Sequence, residues 1–199
     1  MSWLRPITLE GEGVRLIPLQ KSHKEALLAA ASDGQLWELW YTSVPSVEKI
    51  DQYLDFALDE QAKQRALPFT VIDTQTNSII GSTRYCNAVP EHHRLEIGYT
   101  WYAKSYQRTG VNTACKYLLL QNAFEQLQTI AVEFRTHWHN LRSRNAIARL
   151  GAKQDGVLRN HSRDAEGRLR DTVVFSITMQ EWPTVEQSLA FEMTKHPTS

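Results

Sequence analysis

The alternation of apolar and polar residues predicts the strands of this chain. The clearest strand is residues 94–102, in which two sets of side chains are expected on opposite faces: Leu95, Ile97, Tyr99 and Trp101 on one, and Glu96, Gly98, Thr100 and Tyr102 on the other. The same period of two predicts strands at 129–138 and 171–179. Shorter apolar runs predict the remaining strands: an edge strand at 13–19, a pair at 68–74 and 78–86 joined by a turn around Thr76-Asn77, and a short strand at 156–161.

A spacing of three or four residues between apolar positions predicts the helices. Four are expected: one begun by a capping box of Ser22 and Glu25, one capped by Ser46, one over residues 110–127, and a short one capped by Asn140 and ended at Gly151. Between the first two lies an irregular aromatic stretch, residues 33–45. The order is one strand, two helices, three strands, a helix, a strand, a helix and two strands, which is typical of a mixed α/β domain.

The length of 199 residues suits one such domain with a sizeable core. We expect this domain to span residues 13–183. Residues 184–199 are expected to be a C-terminal tail with at most one final helical turn.

Composition and charge narrow the function classes. Lys and Arg together number 22, as do Asp and Glu, so no net charge attracts nucleic acid or an anionic membrane, and we expect neither as a partner. No apolar run reaches the roughly 18 residues of a membrane span, and the first residues lack the pattern of a signal peptide. Cys86 and Cys115 lie outside any metal-type spacing and are expected to be reduced, half-buried thiols. The expected location is the cytoplasm.

The polar segment Gln107-Arg108-Thr109-Gly110 joins the strand at 94–102 to the helix at 110–127. The first N–H groups of a helix lack intrahelical partners, and the helix dipole makes this end partly positive. A glycine lets a ligand approach those N–H groups, and Arg108 adds a full charge. The segment is either a phosphate cradle or an ordinary turn that contains glycine. It matches neither the GxxxxGK[ST] nor the GxGxxG nucleotide loop.

Residues 107–112 resemble the Q/R-x-x-G-x-G/A acyl-CoA loop of the GNAT acetyltransferase superfamily. Further segments are similar to its RimJ/RimL-type branch: "LEIGYTWY", "HNLRSRNAIARLGA", "GVLRNH" and "RDTVVFSITMQEWP". The resemblance extends over residues 13–183. It implies a GNAT fold of class α/β: a mixed, mostly antiparallel sheet, splayed between the strands at 94–102 and 129–138, with helices on both faces.

The same resemblance implies acetyl-CoA as co-substrate and no metal. The pantetheine arm would enter the gap between the two splayed strands, and the pyrophosphate would lie on the N–H groups around residues 108–113. The residues implied in binding are Ile97, Gly98, Tyr99, Gln107, Arg108, Thr109, Gly110, Val111, Asn112, Thr113 and Asn140. Asn112 departs from the pattern, which has a smaller residue at this position.

Glu96 and Ser143 are the candidate catalytic residues. The resemblance implies that Glu96 is a base, acting directly or through water; the alternative is a surface carboxylate paired with Arg94 or Arg135. Ser143 is implied as the group that protonates the leaving thiolate, and the alternative is ordinary helix capping by Asn-x-x-Ser. Backbone N–H groups near 97–99 are expected to polarise the thioester carbonyl.

The acceptor side is less defined by the sequence. Trp37, Trp40 and Tyr41 either line the acceptor pocket or pack in the core. A second group near the last hairpin either recognises an acidic acceptor or forms ion pairs among its own members: Arg159, His161, Arg170 and Asp171. The pairs His92-His93 and His137-x-His139 lack the acidic or cysteine partners of a metal site.

The sequence therefore predicts an N-acetyltransferase that transfers the acetyl group of acetyl-CoA to a primary amine by direct attack. The resemblance points to a protein N-terminal amine as acceptor. The alternatives are a small amine or antibiotic, and a non-catalytic acyl-CoA-binding sensor. A homodimer is compatible with the RimJ/RimL-type branch, although no residue pattern requires one.

Overall fold

The computed structural model describes residues 3–164 and 166–195, which form one sheet with helices on both sides. Within these residues the strands are β1 Leu9–Gly11, β2 Val14–Pro18, β3 Leu67–Asp73, β4 Ser78–Val89, β5 Arg94–Tyr102, β6 Ala131–His137, β7 Lys153–Arg163 and β8 Leu169–Thr178. The α-helices are α1 Lys24–Ser32, α2 Ile50–Ala62, α3 Val111–Gln121, α4 Leu141–Arg149 and α5 Trp182–Lys195.

The strand order is β1-β2-β3-β4-β5-β6-β8-β7, and every pair is antiparallel except β5 with β6. This parallel pairing joins Arg94 to Ala131, Leu95 to Val132 and Glu96 to Glu133, and it ends there. Beyond Glu96 the two strands diverge. The predicted fold class, a mixed and mostly antiparallel sheet splayed between its two central strands, is confirmed.

Two apolar cores lie on opposite faces of the sheet. On one face α3 and α5 pack against the strands through side chains such as Leu119 and Leu189. On the other face α1 and α2 bury a smaller cluster that includes Leu27 and Leu54. Both cysteines, Cys86 and Cys115, are free thiols and are buried rather than half-buried. Cys86 lies on β4 within the sheet, and Cys115 lies on α3 where this helix packs in the larger core.

A bulge in β5 changes the expected alternation of its side chains. The register with β4 shifts between Gly98 and Trp101, and Tyr99 lies in the left-handed region at φ 52°. Trp101 therefore packs with α1 and α2, on the face opposite to Leu95, where the alternation had placed both residues together. The buried guanidinium of Arg84 stacks beneath Tyr99, with Cζ 4.0 Å from the ring centroid.

The predicted starts of the first two helices are wrong. The first helical turn is capped by Gln20 and His23, and Ser22 instead donates its hydroxyl to Gln20 Oε1. The second helix begins at Ile50 after a separate turn, in which Ser46 O accepts the N–H of Lys49. In both places a short turn precedes the α-helix, and the serine that was predicted as the helix cap belongs to this turn instead.

The outer strands also differ from the prediction. The strand at 13–19 is not at the edge of the sheet, because β1 pairs with its outer side. These two strands form a hairpin through Glu12 and Gly13, which both have positive φ. At the opposite edge, β7 is longer than the six residues predicted and pairs along β8.

The segment after residue 183 forms most of α5 as far as Lys195, and residues 196–199 lie outside the described part of the chain. Trp182, Val185, Leu189 and Met193 are buried in the larger core. Gly151, which ends α4 at φ 93° as predicted, lies against this helix: a Cβ there would lie 3.0 Å from Val185 Cγ2. The predicted tail is thus part of the domain core.

Leu189→Ala is expected to lower the free energy of unfolding by about 2–5 kcal/mol, because Leu189 is 2% exposed and its truncation leaves a cavity between α3, α5 and the sheet. Urea unfolding followed by circular dichroism measures this change. Phe191→Ala, on the same helix but 59% exposed, is the control and should change stability by less than about 0.5 kcal/mol. Equal effects of the two substitutions would contradict the packing of α5.

None of the helices in residues 3–164 and 166–195 combines the length and apolar character needed to span a bilayer.

Candidate active site

A cleft opens where β5 and β6 separate, with a volume of about 1680 Å³. Its walls come from β5 beyond Glu96, the facing part of β6, parts of β7 and β8, the loop that leads into α3, the first turns of α3, the length of α4, the second half of α5 and residues within 36–44. Most of the predicted site residues line it: Glu96, Ile97, Gly98, Tyr99, Gln107, Arg108, Thr109, Gly110, Asn112, Thr113, Asn140, Ser143 and Tyr41. The splay of the sheet therefore brings together segments that are distant in sequence.

The loop before α3 is held in place by its own polar side chains. Gln107 Nε2 donates to Tyr102 O at 3.0 Å, which ties the loop to β5. Thr109 Oγ1 donates to Tyr106 O at 2.7 Å and accepts the N–H of Val111 at 3.3 Å. Arg108 takes the left-handed conformation at φ 63°, and its side chain is exposed. These bonds fix the backbone just ahead of the helix.

The first turn of α3 lines the cleft through Asn112 and Thr113. The helical hydrogen bonds begin with the N–H of Ala114, which donates to Gly110 O at 3.0 Å, so the N–H groups of Asn112 and Thr113 precede the first intrahelical donor. Gly110 caps the helix with ordinary helical φ and is buried. Val111 differs from its neighbours, since its side chain packs in the larger core. An anion at this end is favoured by the free donors and by the helix dipole.

Two further cations on α4 face the same cleft and were not predicted. Arg142 and Arg149 lie seven residues apart on one side of α4, and Asn145 lies between them. The spacing of polar residues at i, i+3 and i+7 was visible in the sequence, although it is also typical of any solvated helix face. With Arg108, these side chains make the outer part of the cleft positive.

Asn140 and Ser143 begin α4 at the inner part of the cleft. Asn140 Oδ1 accepts the N–H of Ser143 at 3.1 Å, which is an ordinary N-cap bond. The bond uses the backbone N–H of Ser143 and does not involve its hydroxyl, and both residues line the cleft. Capping and a role in the cleft are therefore compatible for these two residues.

Glu96 is a buried carboxylate at the point where the strands separate. Its side chain accepts a hydrogen bond from Asn87 Nδ2 at 2.7 Å, and Arg135 Nε lies 3.6 Å from Oε2. Arg94 is not its partner, because Arg94 pairs with Glu133. Burial raises the pKa of Glu96, and the bond from Asn87 and the charge of Arg135 offset part of this rise. A carboxyl with a raised pKa is a stronger base when ionised.

Gly98 makes room for this carboxylate. A Cβ at position 98 would lie 3.1 Å from both Glu96 Oε1 and Cys86 Sγ, closer than such atoms approach without a shift. The absence of a side chain thus allows Glu96 to lie against the bulge of β5.

Lys116 is a buried cation in the cleft that the sequence pattern did not single out. It lies on α3, and its ammonium donates to the hydroxyl groups of Thr83 and Thr100 on the neighbouring strands. Burial lowers the pKa of Lys116 to about 8, so at pH 7 it still carries most of its charge. Lys116 adds positive potential behind the bulge.

The three predicted acceptor residues fall in different environments. Tyr41 lines the cleft. Trp40 does not line it and is exposed, with its ring centroid 4.9 Å from that of His137. Trp37 packs against the smaller core, between the helices on that face.

The histidine pairs have structural partners. His137 Nδ1 accepts the N–H of His139 at 3.0 Å, and His93 Nδ1 lies 3.1 Å from Gln128 O. Over residues 3–164 and 166–195, no three side chains of His, Cys, Asp or Glu are grouped closely enough to hold a metal ion.

Residues 14–153 match the acetyltransferase (GNAT) domain family. The chain belongs to the GNAT acetyltransferase family. The prediction of this family from the loop at 107–112 and the segments around it is confirmed.

Known relatives of this GNAT acetyltransferase agree in fold. A GCN5-related N-acetyltransferase from Brucella melitensis is 29% identical, with a TM-score of 0.85 over 94% of this chain and 86% of that one. RimJ of Mycobacterium smegmatis, solved in complex with CoA-disulfide, is 22% identical, with a TM-score of 0.78 over 94% and 95% of the two chains. YdaF of Bacillus subtilis (strain 168), named "putative ribosomal N-acetyltransferase", is 30% identical over 105 residues, 53% of this chain and 56% of its own length.

GNAT enzymes use acetyl-CoA, and the residues of this GNAT cleft fit it. The edge of β5 beyond Glu96 has lost its partner strand and offers backbone groups to an extended amide chain. The N–H groups at the start of α3 suit a pyrophosphate, and the exposed side chains of Arg108, Arg142 and Arg149 suit further phosphate charge.

Proposed function

We propose that this GNAT enzyme transfers the acetyl group of acetyl-CoA to a primary amine by direct attack, with Glu96 as the base. The observation that carries the proposal is that a buried carboxylate of raised pKa and the anion-binding start of α3 line one cleft. Bound acetyl-CoA supplies the acetyl thioester. The protein has to orient the amine, take its proton and provide a proton for the departing sulfur.

The requirement for a base follows from the acceptor. An α-amino group has an ordinary pKa of roughly 8, so about a tenth of it is neutral at pH 7. The neutral fraction of a lysine amine is far smaller, because its pKa is higher. In this proposal the proton passes from the amine to the Glu96 carboxylate, directly or through water, while the N–C bond forms. Arg135, Lys116 and the other cations of the cleft also favour a neutral amine.

In the proposal, the remaining groups act on the thioester. Backbone N–H groups around the bulge at 97–99 polarise its carbonyl oxygen, and the bulge supports this role because it turns part of β5 out of the ladder with β4. The Ser143 hydroxyl delivers a proton to the sulfur as the C–S bond breaks, and the proton that Glu96 took from the amine returns through water to Ser143. Asn140 positions Ser143 through the cap of α4 and lies close enough to the gap to bond the pantetheine amides.

For the acceptor we propose a protein N-terminal amine. The support is the relation to YdaF, named "putative ribosomal N-acetyltransferase", and a wide cleft rather than an enclosed pocket. Tyr41 and Trp40 lie where an extended peptide would enter.

The test combines binding and turnover. Calorimetric titration with acetyl-CoA should give micromolar affinity, and thiol release should then be measured with short peptides, free lysine and a small alkylamine as acceptors. Faster release with peptides than with either small amine supports the proposal. Tight binding without release on any amine would indicate a sensor, and preference for the alkylamine would indicate a small-molecule acetyltransferase.

A further inference from the structure

A second group of basic side chains lies around Glu96, at the inner part of the cleft. Arg135 on β6, His161 on β7 and Arg170 on β8 all line it. They come from three strands that the topology places side by side, with Arg170 opposite Ser162 in the ladder of β7 and β8. His161 Nδ1 lies 3.1 Å from Thr172 Oγ1, which fixes the imidazole on the cleft face of the hairpin.

The neighbouring ion pairs do not include Arg170. Arg159 Nε donates to Asp171 Oδ2 at 2.6 Å, and Arg94 pairs with Glu133. Arg135 lies between two carboxylates, 3.0 Å from Glu133 and 3.6 Å from Glu96. Among the described residues no carboxylate forms an ion pair with Arg170, and its Nε is buried with no hydrogen-bond acceptor.

Arg170 is partly buried, and among the described residues it has gained no ion-pair partner. Burial lowers the pKa of Arg170, while Glu96 and Tyr99 act on it only from a distance. Buried N–H donors that lack an acceptor cost free energy, and an arginine fork fits a carboxylate or phosphate with two hydrogen bonds. The partner that Arg170 lacks is therefore an anion, and an anion can reach Arg170 from the cleft.

We propose that the acceptor amine carries an anionic group close to it, a carboxylate or a phosphate, and that Arg170 binds this group. The inference rests on the proposed transfer to an amine and adds the substrate class. In this proposal Arg170 selects the acceptor, whereas the outer cations, Arg108, Arg142 and Arg149, bind the co-substrate.

The placement also suits the reaction. Ammonium ions are repelled by Arg135 and Arg170, so a simple cationic amine enters this end poorly. An anionic group on the same molecule offsets this repulsion and orients the amine toward Glu96. Once it is bound, the surrounding cations lower the pKa of the amine and increase its neutral fraction.

The test compares matched acceptors by kcat/KM at saturating acetyl-CoA. Three pairs differ in one anionic group: Ser-Glu-Ala amide with Ser-Gln-Ala amide, serine with serinamide, and Ser-phosphoserine-Ala amide with Ser-Ser-Ala amide. In at least one pair the anionic member should be favoured by about tenfold or more. The pair that shows it identifies the source: an acidic side chain, a free α-carboxylate or a phosphate.

The variants then assign the preference to one residue. Arg170→Gln should abolish it, chiefly through KM of the anionic acceptor, and Arg170→Lys should restore part of it. Arg159→Gln is the control, because Arg159 is an exposed arginine on the same hairpin that already has Asp171 as its partner. It should leave the preference unchanged.

Several outcomes overturn the inference. Equal kcat/KM within every pair excludes an anionic acceptor while leaving amine acetylation intact. A loss in Arg170→Gln that is equal for both members of a pair assigns Arg170 a structural role. Acetyl-CoA binding with no thiol release on any amine overturns the proposed function and, with it, this inference.

Discussion

Glu96→Gln is expected to lower kcat by about 10²–10⁴-fold at neutral pH, because the substitution removes the base and leaves its position filled. The amide oxygen can still accept the hydrogen bond that Asn87 donates to Oε2 in the parent. The affinity for acetyl-CoA, measured by titration, should not change, since Glu96 lies at the amine end of the cleft. Steady-state thiol release on a peptide acceptor measures the rate.

The pH dependence gives a sharper signature of this role. Burial raises the pKa of Glu96 above that of an ordinary carboxyl, and the carboxylate is the active form. In the parent enzyme kcat/KM should therefore rise with pH through this raised pKa and again through the pKa of the acceptor amine. The variant should lose the lower of the two limbs and keep the upper one.

Linkage predicts the effect of the same substitution on stability. A group whose pKa is raised in the folded state stabilises the fold fully below its unfolded pKa, roughly 4.3 for Glu. That stability is lost as the pH rises through the folded pKa. Above the folded pKa the ionised Glu96 therefore gives no such support, and Glu96→Gln should there be at least as stable as the parent.

A matched control separates catalysis from charge. Asp59→Asn removes a carboxylate from the exposed side of α2, where it pairs with Lys63, and should leave kcat unchanged. A rate within about threefold of the parent in Glu96→Gln, at every pH, would remove Glu96 from the base role.

Gly110→Trp is expected to abolish acetyl-CoA binding in a calorimetric titration. Gly110 is the cap of α3 and lines the cleft, so an indole there would cover the N–H groups that we propose bind the pyrophosphate. Its φ of −65° is open to any residue, so the loss would come from space and not from backbone strain.

Asn112→Asp tests the same helix end without a large side chain. A negative charge in the first turn stabilises a helix by about 0.3–1 kcal/mol but repels a phosphate, so stability and affinity should change in opposite directions. We expect acetyl-CoA affinity to fall by about tenfold or more, since like charges a few ångströms apart in a partly buried site interact strongly.

Asn112→Ala is the control for the loss of the amide and should bind acetyl-CoA nearly as well as the parent. Unchanged affinity in both Gly110→Trp and Asn112→Asp would move the phosphate site away from α3. It would then have to be sought among the arginines of α4.

The sequence predicted the central part of the fold because its signals there are local. The alternation in β5, the glycine loop after it and the Asn140 cap are each determined by neighbouring residues, and their order implied the splayed sheet. The bulge at Tyr99 carried no such signal. A tyrosine rarely adopts positive φ, and this one is held there by the stack on Arg84, which lies fifteen residues earlier in the chain.

The C-terminal helix α5 was predictable in principle. Trp182, Val185, Leu189 and Met193 have helical spacing, and proline, here Pro183, is common in the first turn of a helix.

Arg170 could be noted in the sequence but not assigned. Only the register of β7 with β8 shows that Arg159 is the partner of Asp171 and that Arg170 is not. Ion pairing between strands depends on long-range geometry, which local patterns do not contain.

The short parallel seam between β5 and β6 has a mechanical consequence. Three residue pairs are all that join β1 to β5, on one side of the cleft, to β6, β8 and β7 on the other side within the sheet. A ligand that hydrogen-bonds to the free edge of β5 lengthens the seam by acting as the missing strand. Ligand binding at this edge should then stabilise the association of the two halves of the sheet, and release of product should weaken it.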